Sequence, residues 1–140
     1  MERMLNGTHR LGVKDEGKKA PRDIRERTLA YGVRAVRLYR ALMEKKDGAG
    51  WVIGKQFPRS ATSIGANVTE AQSAESAADF IHKYGIAQKE ARESEYWLAL
   101  MERADLFPGA ALAELKQETD ELIAIITTII VKKKQRMAKT

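Results

Sequence analysis

The stretch that decides the fold covers residues 59–97 and reads RSATSIGANVTEAQSAESAADFIHKYGIAQKEARESEYW. Up to Ala71 its apolar side chains recur at steps of three and four residues, and the same spacing returns after Phe80. Such spacing places the apolar side chains on one face of a helix. The stretch therefore predicts the end of one helix, a tight turn near residue 74 and the start of a longer helix.

Two helical segments are predicted before the turn. Asp23 and Glu26 form a capping-box pattern ahead of a first helix that should end near residue 46. The spacing predicts a second helix over about residues 51–73. Because Pro58 lacks a backbone N–H, we expect either a kink there or a start delayed to near Phe57.

Two more helices are predicted after the turn. Ser76 and Asp79 form a capping pattern for a third helix that should run to about residue 106, and a fourth should span about residues 110–135. Short turns join all four helices. The sequence therefore predicts an all-α fold, an antiparallel up-and-down four-helix bundle.

The net charge of +6 is concentrated at the two ends of the chain. Residues 1–22 carry six basic and three acidic side chains, and residues 132–140 carry five basic and no acidic ones. Residues 1–21 also contain three glycines and no periodicity. We expect a disordered basic tail over 1–21, a bundle over 22–135 and a basic C-terminal tail over 136–140.

Composition excludes several classes of protein. The chain has no cysteine, so it forms no disulfide and offers no thiolate. Its longest apolar run, residues 122–131, is much shorter than the ~20 residues that a membrane-spanning helix needs. No apolar run typical of a signal peptide occurs near residue 1. We therefore expect a cytoplasmic protein that does not enter a membrane.

The apolar surface exceeds what one bundle buries. The first helix carries two apolar stripes on opposite sides, one through Leu29 and Val33 and the other through Tyr31 and Leu38. The segment 122–131 is apolar nearly all round. Exposed patches of that size mark interfaces, so we expect a homo-oligomer. The interface candidates are Tyr31, Leu38, Leu42, Ile123 and Ile130.

A polar seam is predicted where the second and third helices meet. Folding the chain about residue 74 brings Arg59 close to Glu90 or Glu93. We interpret the seam as structural, with a buried ion pair whose disruption costs about 3–5 kcal/mol. The seam residues are Arg59, Ser60, Ser63, Asn67, Glu70, His82, Glu90 and Glu93.

No reaction centre is predicted. Di-iron sites in helical bundles need two Glu-x-x-His motifs and two further glutamates, whereas this chain has one Asp79-x-x-His82 and no second copy. The serines have no accompanying base and orienting group. We therefore predict no catalytic residue, no cofactor, no metal site and no enzymatic activity.

Basic side chains provide candidate contacts to nucleic acid. Arginines recur along the first helix, and a basic run follows the apolar part of the fourth helix, where it also favours the helix C-terminus. We expect RNA or DNA to bind through its phosphates without sequence readout. The candidates are Arg27, Arg34, Arg37, Lys132, Lys133, Lys134, Arg136 and Lys139.

The patterns RS-x-x-SIGAN-x-x-E, AES-x-x-DFIHK and IAQKEARE-x-EYWL resemble the bacterial intervening-sequence proteins, some of which are encoded within 23S ribosomal RNA genes. The resemblance is dense over about residues 55–106. It implies an up-and-down bundle that assembles as a homopentamer and has no established enzymatic activity. Phe57-Pro58 departs from the family pattern, and a proline at this point disfavours a regular second helix.

Two alternatives remain at this point. The tripeptide Phe57-Pro58-Arg59 also resembles the accessory variability protein of diversity-generating retroelements. That resemblance implies a pentamer that binds nucleic acid and a reverse transcriptase. The other alternative is a module that binds only proteins.

Overall fold

The computed structural model describes residues 23–139, which form helices and no strand. Four helices are long and one is short. They are α1 (Ile24–Met43), α2 (Gly48–Gly54), α3 (Gln56–Ala71), α4 (Ala77–Arg103) and α5 (Gly109–Ala138). The prediction of a helical bundle is confirmed over these residues. The N-terminal tail predicted for residues 1–21 lies outside them.

The predicted capping residues begin α1 and α4. The backbone N–H of Arg25 donates to Asp23 Oδ1 at 2.8 Å, and the N–H of Asp79 donates to Ser76 Oγ at 3.0 Å. Each cap satisfies a backbone donor that the first helical turn leaves without a partner. Asp79 accepts in return from the N–H of Glu75 at 3.3 Å.

The second predicted helix is divided in two. Helix α2 begins at Gly48 and ends at Gly54, and α3 begins at Gln56, so the single residue Lys55 separates the two helices. Pro58 therefore lies in the first turn of α3, where its missing N–H breaks no helical hydrogen bond. The delayed start near Phe57 is confirmed, and one continuous helix over 51–73 is wrong.

Helix α5 is longer than predicted. It continues to Ala138, three residues past the expected end at residue 135. The basic residues up to that point are thus carried on a helix. No helix among residues 23–139 is long and apolar enough to cross a membrane.

Only one of the two apolar stripes of α1 is buried in the core. Tyr31, Leu38 and Leu42 are at most 2% exposed, whereas Leu29 is 67% and Val33 41% exposed. The prediction that Tyr31, Leu38 and Leu42 face another copy is therefore wrong, because the subunit's own core covers them. Ile130 is also buried, and Ile123 is partly buried against the core.

Helices α1 and α3 approach closely at Gly65. A Cβ on Gly65 would lie 3.3 Å from the backbone carbonyl carbon and oxygen of Thr28. Such a contact is tighter than ordinary van der Waals packing, so the close approach depends on the missing side chain. The small residue at this position therefore lets the backbone of α1 approach α3.

Candidate interaction surfaces

The predicted ion pair of the polar seam forms at the surface. Arg59 Nη2 lies 2.5 Å from Glu93 Oε2, and the two side chains are 59% and 34% exposed. The pairing of Arg59 with Glu93 is confirmed. The prediction that this pair is buried is wrong, because more than half of the arginine side chain is exposed.

A pair of serines forms the buried part of the seam. Ser60 Oγ and Ser94 Oγ lie 2.8 Å apart, and both residues are fully buried between α3 and α4. Each hydroxyl also lies within hydrogen-bonding distance of a backbone carbonyl, that of Glu90 for Ser94 and that of Phe57 for Ser60. Because each hydroxyl has one hydrogen, one serine donates to the other, and the second serine donates to its carbonyl. Ser94 was not among the predicted seam residues. Its position as the single polar residue in the apolar stripe of α4 is the signal that identifies it.

The other seam residues are distributed differently from the prediction. Asn67 Nδ2 donates within α3, to the carbonyl of Ser63 at 2.9 Å. Glu70 pairs with Lys83 at 3.2 Å. His82 is exposed. The end of the seam nearest the turn therefore faces solvent and is not one connected network.

Two buried polar atoms on α4 lack a partner. Glu90 Oε2 and Trp97 Nε1 are buried and make no hydrogen bond within residues 23–139. They are seven residues apart, so they lie on the same side of α4. Beside them Tyr96 is 59% exposed, and its ring lies 5.0 Å from the Trp97 ring in an edge arrangement. We call Glu90, Glu93, Tyr96 and Trp97 the α4 face.

Two of the predicted nucleic-acid contacts instead hold α1 to α5. Arg27 Nη2 lies 2.6 Å from Glu118 Oε1 and 3.0 Å from Glu121 Oε1, and Arg34 lies 3.4 Å from Glu114. The hydrogen bond to Glu118 raises the pKa of Arg27 above its ordinary value. The assignment of Arg27 and Arg34 to phosphate binding stays a prediction, and acidic side chains of the same subunit already engage both.

A buried hydroxyl pair lies behind these ion pairs. Tyr31 Oη is 2.5 Å from Thr119 Oγ1, which donates in turn to the carbonyl of Leu115 at 2.6 Å. Burial raises the pKa of Tyr31 well above its ordinary value. Sequence reasoning missed this contact because its two hydroxyls are 88 residues apart.

The outer surface between α1 and α3 is an open groove of about 950 Å³. Its floor on α1 is apolar, and its wall on α3 consists of small side chains. Charged side chains of both signs line the rest of it: Asp23, Arg25, Glu26, Arg37 and Arg40. We call this surface the α1–α3 groove and define it by Leu29, Val33, Val36, Thr62, Gly65 and Ala66.

The end of α5 is basic and exposed. Residues 132–139 contain five basic side chains and no acidic one. Lys133 Nζ lies 4.9 Å from the centre of the Phe80 ring, which anchors this side chain at the start of α4. We call Lys132, Lys133, Lys134, Arg136 and Lys139 the C-terminal basic cluster.

An acidic pair is formed by Glu95 on α4 and Asp120 on α5. Burial raises the pKa of Glu95, and the hydrogen bond and charge of Asp120 raise it further. The two carboxyl groups therefore repel each other when both are ionised. Among residues 23–139 no group of three or more potential metal ligands occurs.

The fold and its surfaces define a helical-bundle protein whose distinguishing features are a hydroxyl-lined seam, an apolar groove and a basic helix end. The model of the 23S rRNA-intervening sequence protein family matches residues 23–128, and the chain belongs to that family. A search among curated proteins finds no match. The comparisons do not support the alternatives of a retroelement accessory protein or a purely protein-binding module.

One solved structure shares the fold at close similarity. It is a protein of unknown function from the S23 ribosomal protein family of Bacteroides thetaiotaomicron VPI-5482. It is 39% identical to this chain with a TM-score of 0.73, and the match covers 77% of this chain and 98% of that one.

Proposed function

We propose that the protein is a non-enzymatic, self-associating helical scaffold that binds RNA through the C-terminal basic cluster. The observation that carries this proposal is the composition of the exposed end of α5, with five basic side chains and no acidic one over residues 132–139. The name of the family, which refers to an intervening sequence of 23S rRNA, makes RNA the first ligand to test.

The charge distribution favours this cluster over the arginines of α1. Arg27 and Arg34 form ion pairs within the subunit. By contrast, Lys132, Arg136 and Lys139 are exposed, and their spacing of four and three residues puts them on one side of α5. Phosphates that meet this side release counterions and need no base-specific contact.

The apolar stripe of α1 that is exposed to solvent supports self-association. Leu29, Val33, Val36 and Met43 are between 38% and 67% exposed along α1. An apolar surface of this kind is typical of an interface. In an oligomer each subunit contributes its own basic cluster, so weak contacts add through avidity. The homopentamer implied by the resemblance is part of this proposal.

The contacts between helices support the antiparallel up-and-down arrangement. Arg59 pairs with Glu93, and Glu70 pairs with Lys83. Residue numbers thus rise along α3 as they fall along α4. We propose the same alternation for the other neighbouring long helices, because short turns join them.

The test compares two triple variants with equal loss of charge. The first replaces Lys132, Arg136 and Lys139 by Gln. The control replaces Lys46, Lys55 and Arg103, which are exposed near the other end of the bundle. Binding of a fluorescent double-stranded RNA and a single-stranded RNA is measured between about 50 and 300 mM salt, a range in which phosphate contacts lose affinity steeply.

We expect wild type and control to bind alike, with affinity that falls steeply as salt rises. The slope of log affinity against log salt should decrease by about 2–3 in the cluster variant, because each lost phosphate contact removes about 0.7–0.9. Equal slopes for the two variants would contradict the assignment to α5. Absence of RNA binding by the wild type at 50 mM salt would contradict the proposed function.

A further inference from the structure

The ion pairs between α1 and α5 show which ends of these two helices lie together. The Arg27 guanidinium lies 2.6 Å from the Glu118 carboxylate. Arg34, which is seven residues further along α1, lies 3.4 Å from Glu114, which precedes Glu118. Residue numbers therefore fall along α5 as they rise along α1. Asp23, the residue before α1, thus lies at the same end of the bundle as the C-terminal basic cluster.

A contact between α4 and α5 involves the same end of the bundle. Lys133 Nζ lies 4.9 Å from the centre of the Phe80 ring, which belongs to the first turn of α4. The start of α4 and the turn before it therefore lie beside the cluster. Three helix ends meet here: the start of α1, the start of α4 and the end of α5.

The start of α1 and the cluster are close enough for one ligand to contact both. Arg27 pairs with residues 118 and 121 of α5, so Asp23, four residues earlier, lies opposite about residue 124. Lys132 is eight residues further along α5, which corresponds to ~12 Å at a rise of about 1.5 Å per residue. About four residues of extended chain span that distance. Residues that precede Asp23 can therefore reach a ligand bound at the cluster.

The two segments that meet at this end are both basic. Residues 1–22 contain six basic and three acidic side chains, and residues 132–139 contain five basic and no acidic ones. Sequence order places these segments at opposite ends of the chain, whereas the ion pairs of α1 place them at one end of the bundle. A polyanion at this end therefore meets cations from both.

Acidic side chains at this end reduce the positive charge but do not cancel it. Within residues 23–139 they are Asp23, Glu26, Glu70, Glu75, Asp79, Glu118 and Glu121. Arg25, Arg27 and Lys83 form salt bridges with members of this set and neutralise three of the seven charges. The four that remain and the three acidic side chains of residues 1–22 leave a net charge of +4 from the eleven basic side chains of the two segments.

We propose that residues 1–22 and the C-terminal basic cluster form one composite contact for RNA at this end of the bundle. This inference rests on the proposed function, which uses the cluster alone, and it adds a second segment of the chain to the same site. One RNA backbone then neutralises cations of both segments at once. Contacts of this kind hold the RNA by its phosphates and do not read its sequence.

The test removes charge from each segment separately and from both together. The N-terminal variant carries Lys18→Gln, Lys19→Gln and Arg22→Gln. It is compared with the wild type, with the cluster variant and the triple control of the proposed function, and with the combination of the N-terminal and cluster variants. The ligand is a fluorescent RNA duplex of ten base pairs, which is at most about 34 Å long. It therefore contacts one end of a bundle in which α5 alone is ~45 Å long.

Affinity is measured by fluorescence anisotropy between about 50 and 300 mM salt, and a titration at high concentration gives the number of duplexes bound per subunit. Circular dichroism and light scattering check that fold and mass are unchanged. We expect the slope of log affinity against log salt to decrease by about 2–3 in each single variant and by about 4–5 in the combination, because each lost phosphate contact removes about 0.7–0.9. The number of bound duplexes and the slope of the triple control should stay as in the wild type.

A further variant tests the same contact through a gain of affinity, which misfolding does not produce. Asp15→Asn combined with Glu16→Gln removes two acidic side chains from residues 1–22. If this segment contacts phosphates, the affinity for the duplex should rise by about two- to fivefold, as expected for exposed charges.

Three results overturn the inference. If the cluster variant lowers the slope but the N-terminal variant does not, or if the acidic substitutions give no gain, the contact is confined to α5 and the proposed function stands. If the N-terminal variant lowers the number of bound duplexes and leaves the slope unchanged, the two segments bind separate RNA molecules. If the wild type binds no RNA at 50 mM salt, both the inference and the proposed function fail.

Discussion

Two of the ion pairs that join helices in this bundle should differ in strength, because they differ in burial. Arg59 and Glu93 are 59% and 34% exposed, whereas Arg27 and Glu118 are 18% and 17% exposed. Arg27 also makes two hydrogen bonds to Glu118, at 2.6 and 3.3 Å. Exposed pairs contribute about 0.2–1 kcal/mol, and hydrogen bonds to charged groups about 1.5–3 kcal/mol.

Two double-mutant cycles measure the difference. The variants are Arg59→Met with Glu93→Gln, and Arg27→Met with Glu118→Gln, since methionine keeps much of the apolar stem. Urea unfolding is followed by far-ultraviolet circular dichroism at one protein concentration, because self-association changes apparent stability. We expect a coupling free energy below about 1 kcal/mol for the first pair and about 1.5–3 kcal/mol for the second.

Salt provides the control. At about 1 M salt the screening length is about 3 Å, so the coupling of the exposed pair should vanish and that of the half-buried pair should largely remain. Equal couplings for the two pairs would refute the reasoning from burial. A coupling above about 1.5 kcal/mol for Arg59 and Glu93 would do the same, because an exposed pair does not reach that value.

Three further changes test other contacts by urea unfolding. Gly65→Val should destabilise the protein by about 1–3 kcal/mol, because the new side chain meets the backbone of α1. Gly85→Ala should stabilise it by up to about 1 kcal/mol, because nothing lies within 4 Å of the new Cβ. Equal effects of the two variants would contradict the close approach at Gly65. Tyr31→Phe should cost about 1 kcal/mol because it removes a buried hydroxyl bond, and an unchanged midpoint would show that this bond contributes nothing. The folded-state pKa of Glu95 is raised, so its contribution to stability is present at acidic pH and is lost as pH rises through that pKa. Glu95→Gln should therefore stabilise the protein at pH 7 and be neutral near pH 4, and a larger gain at pH 4 would contradict the sign.

The sequence predicted the long helices and the pairing of α3 with α4, because both follow from local periodicity and one tight turn. Folding about residue 74 brings Arg59 and Glu93 together, as the structure confirms. The burial of this ion pair was not predictable in the same way. Whether such a pair is buried depends on the reach of long side chains and on what packs beside them, and neither appears in the spacing.

Contacts between distant segments could not be predicted from the sequence for a related reason. The 3.6-residue period shows that α1 has two apolar stripes, but it does not say which one faces inward. That choice depends on Thr119, which hydrogen-bonds Tyr31, and on Glu118, which pairs with Arg27 from 91 residues away. Nothing near α1 in the chain encodes either partner.

The buried serine pair has a consequence for how α3 and α4 find their alignment during folding. A slide of one turn would still leave the apolar stripes of the two helices facing each other, because apolar residues recur at helical spacing along both. Such a slide would place Leu98 or Glu90 opposite Ser60 in place of Ser94. The Ser60 hydroxyl would then lose its partner across the interface, and the Ser94 hydroxyl would face apolar side chains. The two hydroxyls thus favour the native alignment of the hairpin, because only that alignment lets them hydrogen-bond to each other.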